Sequence, residues 1–422
     1  MGAASSGDRI DAAWLRDPAL VAIFDAMAAG GHEVRVVGGA VRDTLLRPDG
    51  PASPPDVDLA TTATPDETIT AAEAAGLKPV PTGVDHGTVT IIAAGTPFEV
   101  TTLRRDVETD GRHAVVSFTT DWAEDAARRD FTINALFCDA TGQVFDPVGD
   151  GRQDLAARRL RFIGDPEARI REDYLRTVRL FRFLAELEGF QADRGAFHAT
   201  TNAREGLRTL SGERLQREFA KLFVALHAAH AIRQMQRFGV FAELLPFAPA
   251  PGLLDELHQG ESSTRSWLTA FAAVFLEHAK DVRVAADRLR LSNRDRDALI
   301  AMLQARDLVR ASSDRHFGAQ HAAVAFGRDA ALSGLALAFA GGNARADHHR
   351  ITAAIAAWPI PEFPVSGADL IAAGATPGPD LGRRLAALRR AWVESAFSLT
   401  RDALLAEAKT QIGPSRAKEN PA

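Results

Sequence analysis

Cysteine is nearly absent from this sequence of 422 residues, since Cys138 is the only one. A single cysteine excludes both a disulfide framework and a cysteine-rich zinc site. Because disulfide-dense scaffolds belong to oxidising compartments, this composition favours a reducing one. Hydrophobic residues at 46% and charged residues at 25% are ordinary for a globular protein. The length predicts roughly two to four domains.

Long apolar runs are also missing. No uninterrupted stretch approaches the roughly 20 apolar residues that a helix needs to cross a bilayer. The first residues, MGAASSGDRIDAAW, lack the basic and then apolar pattern of a signal peptide. We therefore expect a cytoplasmic protein that does not associate with membranes, and no pattern indicates a stable protein partner.

Lysine is scarce as well. Five of the 49 basic residues are lysine and 44 are arginine, while 55 acidic residues bring the net charge to -6. The chain therefore lacks the overall basic surface typical of nucleic-acid binders, although a local basic face is compatible with this charge. The arginine bias has two explanations, which are planar recognition of phosphates and bases or GC-rich coding.

The chain divides into a mixed first part and a helical remainder. Short apolar runs at 34–37, 56–60, 88–93, 98–103, 114–118 and 136–139 predict a sheet of about five strands. The polar residues 104–114 between two of these runs predict a mobile loop. From about residue 153, apolar residues recur three and four apart and predict helices. The turn-rich FDPVGDGRQDL marks a junction near residue 152, and the Pro-rich stretches LLPFAPAPG and WPIPEFPVSG divide the helical part into pieces.

Asp56 and Asp58 lie two apart in a predicted strand, so their side chains emerge from the same face. Two carboxylates on one face can share Mg²⁺ and leave room for phosphate oxygens, as phosphoryl and nucleotidyl transfer require. The alternative is a hydrated surface pair, which is the commoner origin of two such aspartates.

The preceding GGAVRD follows a strand and opens a helix. The bare amides of Gly38 and Gly39 and the guanidinium of Arg42 predict a turn that binds phosphate. The alternative is a structural turn in which Arg42 pairs with Asp43 or Asp58.

Two later segments carry further polar side chains. In RRDFTINALF, Arg129, Asp130 and Asn134 are candidates for contacts to triphosphate or ribose, and a helix start is the alternative. In EDYLRTVRLFRF, helical spacing predicts one polar stripe whose alternative is an ion-pair ladder on a solvated face. Its members are Asp173, Arg176, Arg179 and Arg182.

Asp173 and Arg176 offer an acceptor beside a donor. This pair complements a base edge with an exocyclic amine next to an unprotonated ring nitrogen, which cytosine and adenine present and guanine and uracil do not. The pair therefore predicts use of CTP and ATP and rejection of GTP and UTP.

Taken in order, the motifs resemble the bacterial class II tRNA nucleotidyltransferases, namely the CCA-adding enzymes and their poly(A) polymerase relatives. The matching motifs are VGGAVRD, DVDLATTATPDE, FEVTTLRRD, RRDFTINAL, FDPVGDGRQDL, EDYLRTVRLFRF and SGERLQREF. The resemblance covers about residues 10–225. It implies an α+β head of the polymerase-β nucleotidyltransferase type at 1–152, followed by an all-α neck with base recognition (153–230), body (231–360) and RNA-binding tail (361–422).

The resemblance also implies roles for single residues. Asp56 and Asp58 would bind Mg²⁺, and Glu99 would be a third carboxylate and a candidate base for the primer hydroxyl. Arg179 and Arg182 would support the incoming nucleotide. Glu213 and Arg217, four apart in SGERLQREF, would brace the nucleotide-binding helix or form an exposed ion pair. The remaining substrate contacts would be Gly38, Gly39, Arg42, Arg129, Asp130, Asn134, Asp173 and Arg176.

The resulting hypothesis is template-independent addition of CTP and ATP to the 3′ end of tRNA with Mg²⁺. A poly(A) polymerase and an enzyme that adds only C or only A remain alternatives. A non-catalytic RNA-binding protein is the alternative of another class, disfavoured because the acidic and glycine motifs are intact. None of the 12 histidines is followed by Asp, so the phosphohydrolase module of some relatives is absent.

Overall fold

The structure is a computed structural model, and it describes residues 9–47, 56–109, 114–258, 266–340 and 345–412. The chain divides into two compact units, Met1–Pro249 and Ala250–Ala422. The centre of the polar loop predicted at 104–114 falls at residues 110–113, outside the described residues.

The first unit contains eleven strands within its described part. They are β1 (Val34–Val37), β2 (Asp58–Thr61), β3 (Lys78–Val80), β4 (Thr88–Ala93), β5 (Thr96–Thr102), β6 (Arg104–Thr109), β7 (Ala114–Phe118), β8 (Phe137–Cys138), β9 (Val144–Phe145), β10 (Arg159–Leu160) and β11 (Gln191–Ala192). Its helices are α1 (Pro18–Ala29), α2 (Gly39–Leu46), α3 (Pro65–Ala74), α4 (Trp122–Ala127), α5 (Gly151–Ala156), α6 (Pro166–Glu172), α7 (Leu175–Glu186), α8 (Arg194–Ala203), α9 (Gly212–Val224), α10 (Ala228–Arg237) and α11 (Val240–Leu244).

The main sheet is mixed and has seven strands, in the order β3-β4-β5-β2-β1-β8-β9. The sequence predicted about five strands, fewer than the sheet contains. The strands β3 and β9 were missed because they are only three and two residues long. Only β2 and β5 run parallel, and the other neighbours are antiparallel. Helices α1 and α3 pack against the sheet at β4. A buried apolar cluster that includes Val37, Ala60 and Phe137 contributes a further part of the core.

Three local expectations for the strands of this unit differ from the structure. Residues 104–109, expected to be part of a loop, form β6, which pairs with β7 in a separate two-stranded ribbon. Residues 114–118 were expected to join the main sheet, but they form β7 and pair with β6. A short apolar run predicts a strand without specifying its partner. The strand expected at 56–60 begins at Asp58, so Asp56 lies just before it.

The helices after the sheet bury apolar stripes at three- and four-residue spacing. Helix α7 packs on α9 and α10. On α9 the stripe includes Leu215, Phe219 and Leu222, all fully buried. One helical expectation was wrong: Asp173 has an extended backbone (φ -153°, ψ 102°) between α6 and α7 and therefore does not share a helix with Arg176.

The second unit is helical in its described part. It contains α12 (Gly252–His258), α13 (Trp267–Phe275), α14 (Asp281–Leu289), α15 (Asn293–Ala311), α16 (Arg315–Phe326), α17 (Arg328–Phe339), α18 (Arg345–Ala357), α19 (Gly367–Ala372), α20 (Pro379–Glu394) and α21 (Arg401–Ile412). One core lies among α15 to α18, and a second surrounds Trp392. Across the described ranges, no helix combines the length and apolar character that a membrane span requires.

Candidate active site

A polar cavity of about 510 Å³ opens in the first unit. Of the thirteen residues predicted for the site, twelve line it, and Glu99 is the exception. The twelve are Gly38, Gly39, Arg42, Asp56, Asp58, Arg129, Asp130, Asn134, Asp173, Arg176, Arg179 and Arg182. The cavity is therefore lined by residues far apart in sequence, which only the fold brings together.

The turn after β1 forms one wall of this cavity. Gly38 has φ 75° and ψ -120°, a conformation that favours glycine because it has no Cβ. Helix α2 begins at Gly39, so its first N–H groups have no partner within the helix. Val37 lies opposite Asp58 in the antiparallel pairing of β1 and β2. The helix start and the acidic residues therefore meet at one edge of the sheet.

Three carboxylates lie close together at this edge. Asp58 begins β2, Asp56 lies two residues earlier, and Glu99 lies beside Asp58 because Leu59 is opposite Val100 in the parallel β2–β5 pair. Burial raises the pKa of Asp58 above its ordinary value, and the charges of Glu99 and Asp56 raise it further. The Asp58 side chain nevertheless remains accessible to solvent.

Asp56 and Asp58 are the two carboxylates that would hold a divalent metal at this edge. The repulsion between neighbouring carboxylates raises the pKa of Asp58, and a bound cation would reduce that repulsion. Among the described residues, no group of three or more His, Cys, Asp or Glu side chains forms a metal cluster. Two carboxylates alone would leave coordination positions for phosphate oxygens and water, which suits hard cations.

Four of the predicted residues form a hydrogen-bonded chain. Arg42 donates from Nη1 to Oδ1 of Asn134 at 2.7 Å, and Asn134 donates from Nδ2 to Oδ1 of Asp130 at 3.1 Å. Arg179 donates from Nε to Oδ2 of Asp130 at 2.7 Å. Burial alone would raise the pKa of Asp130, but the adjacent guanidinium outweighs it and lowers that pKa to about 2. Arg42 also pairs with Asp43 at 2.7 Å, as the structural alternative predicted.

Asp173 and Arg176 line the same cavity but do not pair with each other. Asp173 forms an ion pair with Arg214 at 2.6 Å. Arg176 pairs through Nη1 with Glu172 at 2.6 Å and donates from Nη2 to the carbonyl of Arg128 at 3.0 Å. Each side chain is therefore fixed by its own partner, and the spacing of three residues did not reveal either partner.

The last motif contributes through a different residue from the one predicted. The buried Glu218 on α9 pairs with Arg182 at 2.6 Å and with Arg179 at 3.4 Å. Glu213 and Arg217 are exposed, and they form no ion pair with each other in the described part of the chain. The sequence could have indicated Glu218, because it lies in the apolar stripe of α9 and a charged residue buried there requires a partner.

Five residues that line the cavity were not among those predicted, namely Ala40, Asp43, Phe183, Glu186 and Lys221. Lys221 lies on α9, and its charge opposes the rise in the pKa of Asp58. The side chain of Glu186 pairs with Arg182 at 2.7 Å. Only Lys221 carried a usable signal, since the sequence has so few lysines.

Two family models match the chain. The first is described as "Poly A polymerase head domain" and matches residues 34–161, which contain most of the cavity residues. The second is described as "Probable RNA and SrmB- binding site of polymerase A" and matches residues 189–250.

Similar proteins cover almost the whole chain. CCA tRNA nucleotidyltransferase 1, mitochondrial, from Danio rerio is 36% identical over 92% of this chain and 89% of its own length. The CCA-adding enzyme of Levilactobacillus brevis is 32% identical over 91% of this chain and 95% of its own length. The solved structure of the Bacillus stearothermophilus CCA-adding enzyme in complex with CTP is similar with a TM-score of 0.76 and 28% identity, covering 93% of this chain and 96% of that one.

Proposed function

The chain belongs to the CCA-adding enzymes, a family of tRNA nucleotidyltransferases, and on this basis we propose that its cavity adds CTP and ATP to the 3′ end of tRNA without a nucleic-acid template. The observation that carries the proposal is the convergence of twelve predicted residues in one polar cavity. The similarity of the CCA-adding relatives along almost their full lengths supports it.

The triphosphate would lie against the start of α2. Unpaired N–H groups at a helix start bind anions, and Arg42 and Arg129 add positive charge at the same cavity. Asp130 and Asn134 are tied to Arg179 and Arg42, so they support the arginines as well as offering contacts to ribose.

Asp56 and Asp58 would hold Mg²⁺, and Glu99 beside them would be a third carboxylate and a candidate base. When bound, the metal would supply positive charge to the phosphate oxygens. The chain itself would orient the reaction. The 3′ hydroxyl of the tRNA would attack the α-phosphorus and give up its proton, for which Glu99 is the candidate acceptor. The new O–P bond would form as the bond between the α-phosphorus and its bridging oxygen breaks, and pyrophosphate would leave. Arg129 and Lys221, whose charges act on Asp58, would balance charge in this region.

The base would be selected by Asp173 and Arg176, supported by Arg179 and Arg182. Asp173 would accept from the exocyclic amine of cytosine or adenine, and Arg176 would donate to the ring nitrogen. Because Glu172 and the carbonyl of Arg128 fix the guanidinium of Arg176, the donor would be preorganised before the nucleotide binds.

The decisive experiment supplies the purified protein with Mg²⁺ and a tRNA that lacks its last three nucleotides. We expect two additions with CTP alone and three with CTP and ATP together, read as product lengths at single-nucleotide resolution. A long ladder with ATP alone would instead identify a poly(A) polymerase. Extension by only one kind of nucleotide would identify a C-only or A-only enzyme, and no extension would favour a non-catalytic RNA-binding protein.

A matched pair of variants tests the acidic site. We expect Asp58→Asn to abolish extension, because it removes a metal-binding charge and keeps the side-chain size. Asp66→Asn on α3 removes an exposed carboxylate outside the cavity and should retain parental activity. Appreciable turnover by folded Asp58→Asn would remove Asp58 from the proposed metal site.

The division into head (1–152), neck (153–230), body (231–360) and tail (361–422), with RNA binding by the tail, remains a proposal. So does a cytoplasmic location, which the single cysteine supports. Because the Danio rerio relative is named as mitochondrial, a fluorescent fusion imaged with compartment markers is the appropriate test.

A further inference from the structure

Asp125 is a buried carboxylate to which the proposed reaction gives no role. It lies on α4 with 1% of its surface exposed, outside the cavity lining. Its Oδ2 accepts two hydrogen bonds from Arg129, at 3.1 Å from Nε and 2.8 Å from Nη2. Its Oδ1 accepts from Nε of Arg128 at 3.1 Å and from the backbone N–H of Arg104 at 3.3 Å. Removing a charged carboxylate from water costs free energy, and hydrogen-bond donors such as these compensate for that cost.

The two bonds to Arg129 fix an arginine that lines the cavity. Because Asp125 accepts from both Nε and Nη2, it fixes the plane of the guanidinium. A single hydrogen bond would leave that plane free to rotate. The guanidinium carbon also lies 5.2 Å from the centre of the Phe137 ring. Nη1 has no hydrogen-bond partner within the described residues, so it can donate to a ligand. The charge of Arg129 acts on Asp58, which places it near the proposed reaction centre.

The backbone that carries Arg129 is fixed from the other side. The carbonyl of Arg128 accepts from Arg176 at 3.0 Å, and the carbonyl of Arg129 accepts from Arg169 at 2.6 Å. Asp125 also reaches the first residue of β6, where the ribbon begins. The backbone at 128–129 should therefore keep its position if the Asp125 carboxylate is removed, and only the Arg129 side chain should move.

We propose that Asp125 is a positioning residue for the incoming nucleotide, holding the Arg129 guanidinium with Nη1 free to bind the triphosphate. The proposal rests on the proposed function, because it requires CTP and ATP to occupy the cavity. A carboxylate that served only the stability of α4 would change the folded fraction of the protein. It would not change the nucleotide affinity of the molecules that do fold.

The first test compares Asp125→Asn with Glu124→Gln. Glu124 neighbours Asp125 on α4 but pairs with Arg105 and accepts from Thr119, without contacting Arg129. Steady-state kinetics would be measured with CTP on tRNA lacking three nucleotides and with ATP on tRNA lacking only the last. We expect KM for both nucleotides to rise about tenfold in Asp125→Asn, the effect of losing about 1.4 kcal/mol, and to stay parental in Glu124→Gln. A parental KM in Asp125→Asn would overturn the proposal.

The second test uses Arg129→Gln, alone and combined with Asp125→Asn. If Asp125 acts through Arg129, the double variant has the same KM as Arg129→Gln. A further rise in KM in the double variant would overturn the proposal. This comparison also holds if Asp125→Asn alone does not fold, because the double variant leaves fewer uncompensated charges. Failure of the proposed function would be separate, since the parental enzyme would then add no nucleotide.

Discussion

At the scale of single residues, the ion pair of Asp130 and Arg179 makes stability depend on pH. The folded pKa of about 2 lies below the ordinary value of 3.8, so the ionised carboxylate contributes its full stability above pH 3.8 and loses it as pH falls towards 2. We expect Asp130→Asn to lower the free energy of unfolding by about 3 kcal/mol at pH 7, because it leaves Arg179 without its main partner. Urea unfolding of the parent and this variant should differ less at pH 3, and an equal difference at both values would contradict the assignment.

The thiol of Cys138 provides a second prediction at this scale. Burial and the neighbouring charge of Asp139 raise the pKa of Cys138 to about 12. At pH 8 the thiol is therefore neutral as well as enclosed, and the thiolate is the reactive form. We expect no rapid reaction of the native protein with a thiol-specific disulfide reagent, and one equivalent after unfolding in urea. Rapid reaction of one equivalent of thiol in the native protein would show that β8, which carries Cys138, opens to solvent.

At the scale of elements, the turn from β1 into α2 depends on glycine for its backbone. We expect Gly38→Ala to strain the turn by about 1–3 kcal/mol and to raise KM for CTP and ATP. Gly31→Ala is a matched control, because Gly31 also has a positive φ of 80° and open space around its Cβ position, but lies outside the cavity. Both variants should melt at lower temperature, and only Gly38→Ala should change KM. An equal KM in both would remove the turn from the nucleotide site.

The same scale shows how far the sequence predicts this site. Local chemistry sufficed to identify the residues of the glycine turn, the acidic pair and the arginines of α7 as cavity residues, because each motif lies within a few consecutive residues. It placed Asp173 on the helix of Arg176, whereas Asp173 lies before that helix. The partners that fix these side chains were not predictable, since Arg42 bonds to Asn134 and Asp173 pairs with Arg214 only after the chain has folded. The spacing of Asp173 and Arg176 predicted an acceptor and a donor for one base, but it did not reveal Glu172, with which Arg176 pairs in the structure.

At the scale of the whole molecule, the net charge of -6 opposes binding of a polyanion, so tRNA affinity must come from local basic surface. Each phosphate that a lysine or arginine neutralises releases counterions, and log Kd then rises linearly with log salt concentration. We expect tRNA to bind at least about tenfold more weakly at 200 mM than at 50 mM monovalent salt. Filter binding over this range measures the slope, with Asp58→Asn as a protein that binds but does not extend the tRNA. A slope near zero would mean that the interface does not rest on phosphate contacts, and the arginine excess would then be better explained by coding bias.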